Sequence, residues 1–192
     1  FEWGRQAAHD PARVAAALAP SQVVEFRKRE TLEGLVARRV EFLTAYQDAA
    51  YAGTYQAFVE TVRAAEAPLG KTTLAESVAR YLFKLMAYKD EYEVARLHTD
   101  AAFLEKIGGL FEGDFTLNYH MAPPLIAKKN DRGELVKQRF GPSMRTAFKV
   151  LASLKGLRGG VFDIFGRTEE RKAERALIGE YRATIEEVLR TL

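Results

Sequence analysis

The chain predicts one mainly α-helical domain with a small β-hairpin excursion, and three observations carry that expectation. Apolar residues recur at three, four or seven positions over most of the length, capping residues stand in front of those runs, and Gly or Pro closes them. The helical period is lost only around residues 114–140, where alternating residues, a Pro-Pro pair and an Asn-Asp-Arg-Gly string intervene. With 192 residues, 47% of them hydrophobic, residues 1–192 suffice for one domain with a substantial core and are not the composition of a disordered tail.

Taken in order, Asp10 offers a capping oxygen beside Pro11, whose fixed φ suits a first helical turn, and that short helix is expected to stop near Pro20. Ser21 would cap a long second helix carrying Val24, Leu32, Leu35, Val36, Leu43 and Tyr46, with Gly53 as its end. A third helix places Tyr55, Phe58, Val59 and Val62 on one face and ends before Pro68. Thr73 and Glu76 read as a capping box, followed by Val78, Tyr81, Leu82, Leu85 and Met86 at helical spacing. Residues 81–97 read as one helix, with Tyr81, Phe83, Tyr88 and Tyr92 around it, as a helix central to a bundle requires. A short helix follows near Thr99 to Phe111.

The alternation of Phe115, Leu117 and Tyr119 then gives a period of two. The polar string Asn130-Asp131-Arg132-Gly133 reads as the turn of a hairpin whose arms lie within residues 125–140. Met144, Ala147, Phe148, Leu151 and Leu154 restore helical spacing up to Gly156. A glycine-rich loop through Gly166 leads to Thr168, the expected cap of a last helix with Leu177, Tyr181, Ile185, Val188 and Leu192.

Several function classes lose their support at this level. The chain has no Cys, which excludes disulfides, thiolate nucleophiles and a cluster held by this chain's own cysteines. No apolar run reaches the roughly 18 residues a membrane-spanning helix needs. Gly70-Lys71-Thr72 resembles the end of a phosphate-binding loop, but Ala65 stands where that motif needs Gly, so a polar loop between helices is the better reading. Gly108, Gly109, Gly156, Gly159, Gly160 and Gly166 miss the dinucleotide spacing and read as helix ends and tight turns. The histidines have no metal-ligand spacing: His9 and His98 read as structural or capping residues. His120, before Met121-Ala122-Pro123-Pro124, is either a buried hydrogen-bonded residue or one aimed at a ligand or partner. No catalytic, cofactor-binding or metal-binding residue is assigned.

Charge is the more informative signal. From His120 to Gly160 nine basic residues (Lys128, Lys129, Arg132, Lys137, Arg139, Arg145, Lys149, Lys155 and Arg158) face two acidic ones, Asp131 and Glu134, which makes +7. With a net charge of +3, the remainder carries −4. Such a lobe can attract an acidic protein surface, coenzyme A phosphates or nucleic acid, or be a solvated face; nucleic acid is disfavoured because no recognition motif accompanies it. Lys128, Lys129, Lys137, Arg139 and Arg158 are its interface candidates. A second cluster, Lys84, Lys89, Asp90, Glu93 and Arg96, reads as an ion-pair network in which Lys89 and Arg96 could also meet a ligand or partner.

Four strings carry a family resemblance: FEWGRQAAHDP at residues 1–11, YLFKLMAYKDEYEVARL at 81–97, LNYHMAPP at 117–124, and LKGLRGGVFDIFG at 154–166 with the Glu170-Arg171 pair. Together they resemble the C-terminal region of fused indolepyruvate ferredoxin oxidoreductases, in the 2-oxoacid:ferredoxin oxidoreductase family. The resemblance implies a piece of a larger multidomain enzyme, cytoplasmic, that decarboxylates arylpyruvates with thiamine diphosphate and Mg2+, passes electrons through iron–sulfur clusters to ferredoxin and forms an acyl-coenzyme A. This chain has neither the Gly-Asp-Gly thiamine-diphosphate signature nor cluster cysteines. It would then hold no cofactor and act as a non-catalytic accessory or docking domain, with other domains of the parent, ferredoxin or another acidic protein as partners. The alternative is an independent helical binding or protein-interaction module.

Overall fold

The computed structural model describes residues 2–18, 30–122, 130–133 and 136–192. The expected Ser21 cap, Val24 and the stop at Pro20 lie outside them, as do Lys128 and Lys129. The chain divides into two compact units, Phe1–Glu30 and Thr31–Leu192. In the first, α1 (Glu2–His9) and α2 (Pro11–Leu18) meet at Asp10, whose Oδ1 accepts the Arg13 N–H at 3.0 Å as the Asp-Pro pair leads one to expect.

The second unit is mainly helical with a small antiparallel hairpin. It opens with α3 (Leu32–Tyr46), capped by Thr31, whose hydroxyl accepts from Gly34 N–H. The expected long helix through Gly53 is in fact two. The chain breaks at Gln47, and Asp48 caps α4 (Ala49–Glu66), so Gly53 sits exposed inside a helix and ends nothing. Asp48 wins because its carboxylate accepts the Tyr51 N–H at 2.7 Å and so starts a new helix where the apolar period shows no interruption. A 3₁₀ turn (Ala67–Leu69) and Gly70 at φ +63 then reverse the chain into α5 (Thr73–Met86), which makes residues 70–72 the polar loop between helices that was expected.

The Thr73–Glu76 capping box does not form. Thr73 is already helical, and the first α5 amides are taken by Glu66 from the end of α4, whose two carboxylate oxygens accept from Leu74 and Ala75 N–H, each at 2.9 Å. A carboxylate held by tertiary packing at the positive end of a helix replaces the local cap. Nor is 81–97 one helix: α5 stops at Met86 and α6 (Glu91–Thr99) starts after Asp90, which caps it by accepting Glu93 N–H at 2.8 Å. Asp100 then caps α7 (Ala101–Gly108).

The strands are β1 (Tyr119–Met121) and β2 (Gln138–Phe140), paired antiparallel with Tyr119 opposite Phe140 and His120 opposite Arg139. The first arm thus precedes Pro123-Pro124, where the period of two was read, and does not begin at residue 125. The expected turn is present, with Gly133 at φ +78 donating its N–H to Asn130 O. Next come α8 (Met144–Ser153), a 3₁₀ turn (Lys155–Leu157) and α9 (Glu169–Leu189), capped by Thr168 as expected.

These elements enclose two apolar clusters. Helices α3, α4 and α5, with Ile185 of α9, bury Leu43, Tyr55, Val62, Val78 and Leu82 completely or nearly so. Of the expected α5 core residues, Leu82 and Met86 are buried and Leu85 is only half-buried; Phe83 takes its place, edge-on to Phe42 at 5.2 Å. The second cluster joins α6, α8 and the hairpin through Ala95, Tyr119 and Phe148.

Candidate functional site

The loop after α8 holds the unit's most unusual arrangement, an apolar tip standing on a buried polar base. The last carbonyls of α3 have no partner inside their own helix and carry its negative pole. Lys155 Nζ donates to Thr44 O at 3.3 Å and Ala45 O at 2.6 Å, and Arg158 Nη1 donates to Tyr46 O at 2.6 Å. The same guanidinium then turns its Nε and Nη2 onto Asp90, at 2.5 Å to Oδ2 and 2.8 Å to Oδ1, and lies 3.7 Å above the Tyr46 ring. Both partners are buried. Arg158 therefore bridges the end of α3 to the start of α6, and burial pushes the Tyr46 phenol well above its ordinary pKa.

Beyond Arg158 the loop wraps around Asp163. Its buried carboxylate accepts from Gly159 N–H at 2.7 Å, Gly166 N–H at 2.9 Å and the Tyr92 hydroxyl at 3.3 Å. Burial and the Asp163 charge push Tyr92 up to about 12. Glycine is required at both ends. Gly159 has φ +74, and a Cβ on Gly166 would overlap the Asp163 carboxylate and come within 2.9 Å of Arg175 Nη1. Arg175 Nη2 and Arg167 Nη2 tie down the carbonyls of Gly166 and Val161, and Phe165 packs edge-on against Tyr92 at 5.4 Å.

With its base fixed, the loop presents Val161 and Phe162 to solvent at 82% and 76% exposure, and Ile164 is also exposed. Large apolar side chains held this far into water by a rigid base mark a contact surface more than a folding requirement. Between residues 136 and 168 the exposed charged side chains, Lys137, Arg139, Arg145, Lys149 and Arg167, are all basic, because the one acidic residue there is the buried Asp163.

The sequence-predicted candidates disperse. Lys137 and Arg139 are exposed at β2, and His120 is exposed opposite Arg139, so the buried reading of His120 is wrong. Arg158 belongs to the fold: it is buried, three of its N–H groups donate to Asp90 and the Tyr46 carbonyl, and it lies over the Tyr46 ring, so it is not the exposed interface residue that was expected. The ion-pair cluster resolves into separate pairs. Arg96 grips Glu93 with two 2.8 Å bonds over the Phe42 ring, Asp90 belongs to Arg158, Lys84 lies over Tyr81, and Lys89 is exposed. His98 is structural as expected, stacked on Phe148 at 5.2 Å and edge-on to Tyr119, and burial lowers its pKa. His9, exposed, ends α1.

Asp90 and Asp163 were missed as organising residues. An Asp three positions before Glu93 is a readable helix start, but the apolar period running across it masked the signal. For Asp163, flanked by Phe162 and Ile164, no local pattern announces a buried carboxylate.

No helix among the described residues is long and apolar enough to cross a membrane. Neither the curated proteins nor the solved structures contain a match to this chain. A family model does match, over residues 32–192, nearly the whole of the second unit with its clamp and exposed tip, and the chain belongs to that family, the family of unknown function DUF6537.

Proposed function

We propose that this chain is a non-catalytic docking domain whose exposed loop tip seats in an acidic protein partner. The observation that carries the reading is the exposure of Val161 and Phe162 on a loop whose base is held by the Arg158–Asp90 pair and by Asp163. A preorganised apolar tip loses little conformational freedom on binding, and one aromatic side chain entering a pocket can supply most of an interface's energy. The surrounding stretch is uniformly basic at its surface, which favours a partner of opposite sign and speeds encounter at low salt.

The four sequence strings that resemble indolepyruvate ferredoxin oxidoreductase include this loop, residues 154–166. On that resemblance the domain is an accessory part of a cytoplasmic 2-oxoacid oxidoreductase. Its partners would be an acidic face of the catalytic domains, which would hold the thiamine diphosphate, Mg2+ and iron–sulfur clusters, or ferredoxin itself. The test is charge reversal, Lys137→Glu with Arg139→Glu, in the full-length gene product, read as domain association and ferredoxin reduction at low and high salt. Weakened association that is most marked at low salt supports the reading. Unchanged behaviour at both salts, with the fold intact, leaves the basic stretch a solvated face and the chain an independent helical module.

A further inference from the structure

Helix α7 is apolar yet uncovered. Ala101, Ala102, Phe103, Leu104 and Ile107 belong to it and Leu110 and Phe111 follow, but the helix packs on α6 and buries none of its residues. Leu110 and Phe111 are 70% and 56% exposed, and Phe103 and Phe115 also reach water. The Phe111 and Phe115 rings lie 5.3 Å apart, which joins the loop after α7 to the same patch. Leu104 and Phe115 then wall a hollow of about 380 Å³ with Thr116, Pro142 and Arg145. Contiguous exposed apolar surface of this kind marks a contact site.

The rim of the hollow is acidic. Residues 100–114 hold four acidic residues and one basic residue, Lys106, which makes −3, and Glu105, Glu112 and Asp114 are exposed. Arg145, on the Pro142 side, is the basic group in the lining. The loop tip has the opposite character: Val161 and Phe162 project, Arg167 is bound to the Val161 carbonyl, and no acidic side chain is exposed between residues 136 and 168. Knob and hollow thus match in polarity and in sign.

They cannot meet within one copy. The hollow takes Pro142 and Arg145 from the start of α8, whereas the tip follows the end of that ten-residue helix, about 15 Å away. The base of the tip is pinned by Asp90 to the start of α6, while α7 follows the end of α6.

We infer that the chain associates head to tail with a second copy, the Phe162 tip of one seating in the hollow between Leu104, Phe115 and Pro142 of the next. The inference rests on the tip being a docking element and gives it a further seat, on this chain itself. Because the two surfaces lie at opposite ends of the packed α6 and α8 helices, the contact is heterologous, and assembly runs past the dimer unless a ring closes.

The experiment is sedimentation velocity of the whole chain over a concentration series at low and high salt. The mean mass of the wild type should rise with concentration, and less so at high salt. Phe162→Ser removes the knob, and Thr116→Arg puts bulk and a cation into the hollow without touching the tip. Each should weaken self-association by at least about tenfold in Kd, with Tm unchanged because both side chains are exposed. Mixed together, the two variants regain one contact, the intact tip of one in the intact hollow of the other, and should stop at a one-to-one dimer. The inference is overturned if the wild type is monomeric throughout, if either variant self-associates as the wild type does, or if the mixture yields no dimer. Since Thr116→Arg keeps the tip, its binding to the acidic partner tests the docking reading separately.

Discussion

Replacing Arg158 by Met removes the centre of the polar base while keeping most of the side-chain volume. Two charge-assisted bonds to Asp90 and one to the Tyr46 carbonyl disappear, and Asp90 is left as a buried carboxylate without its cation. Breaking one side of a buried pair costs about 3–5 kcal/mol, most of it from the stranded partner. For a chain of this length that corresponds to a drop of about 6–20 °C in Tm. Asp90→Asn keeps an α6 cap but strands the guanidinium, and should fall in the same range. The double variant leaves no buried charge without its partner, although the Tyr46 carbonyl still loses its donor. Since replacing both members of a buried pair is often near neutral, it should be less destabilised than the sum of the singles by at least about 2 kcal/mol. Urea unfolding followed by circular dichroism at 222 nm measures all four corners of the cycle. Additive losses below about 1 kcal/mol each would mean that the pair behaves as an exposed one, and the clamp argument would fail.

Three further outcomes follow from the same geometry. Gly166→Ala should destabilise by about 1–3 kcal/mol through overlap with Asp163, and hydrogen exchange should show the Gly159 amide losing its protection. Glu66→Gln, which keeps one acceptor for the two α5 amides, should cost about 1–3 kcal/mol in urea unfolding; no loss would show that Thr72 or water can cap α5 unaided. His98 is held below its ordinary value by burial, so the folded state favours the neutral ring. The unfolded chain binds the proton first, at about pH 6.5, and this contribution to stability is present above that pH and lost as pH falls through it. Tm measured between about pH 7.5 and 5 should therefore decline with a slope that His98→Phe reduces, and an unchanged slope would assign it to other groups.

Much of the helical layout was legible because caps and apolar periods are local. Asp10, Thr168 and the α4 face containing Tyr55, Phe58, Val59 and Val62 could be read from neighbours alone. The errors share a cause: where an apolar period runs unbroken over two helices, only the capping side chain marks the joint. Asp48 and Asp90 are such joints: the expected long helix ran through Asp48 without a break, and Asp90 was read as a member of an ion-pair network on a helix. Glu66 shows the opposite limit, since its role at the start of α5 depends on the turn at residues 67–72 folding it back. The candidate site was half legible. The basic character of residues 120–160 is compositional and can be counted, whereas the withdrawal of Arg158 into the fold depends on a carboxylate 68 positions away. The glycines at 159 and 166 read correctly as turn residues, but the exposure of Val161 and Phe162 between them is a tertiary fact, because a VFDIF string by itself reads as core.

The docking account rests on Val161 and Phe162 contributing to association and not to folding. The most direct measurement is calorimetric titration of the whole chain, wild type and Val161→Ser/Phe162→Ser, against the two partners proposed above, the catalytic domains of a 2-oxoacid oxidoreductase parent and ferredoxin, with Tm recorded for both forms of the chain. Loss of the aromatic anchor should weaken binding by about 30-fold, equivalent to about 2 kcal/mol at an interface hot spot. Tm should be unchanged, since both side chains already stand in water. Equal affinity of both forms, or a Tm that falls with the substitution, would contradict it.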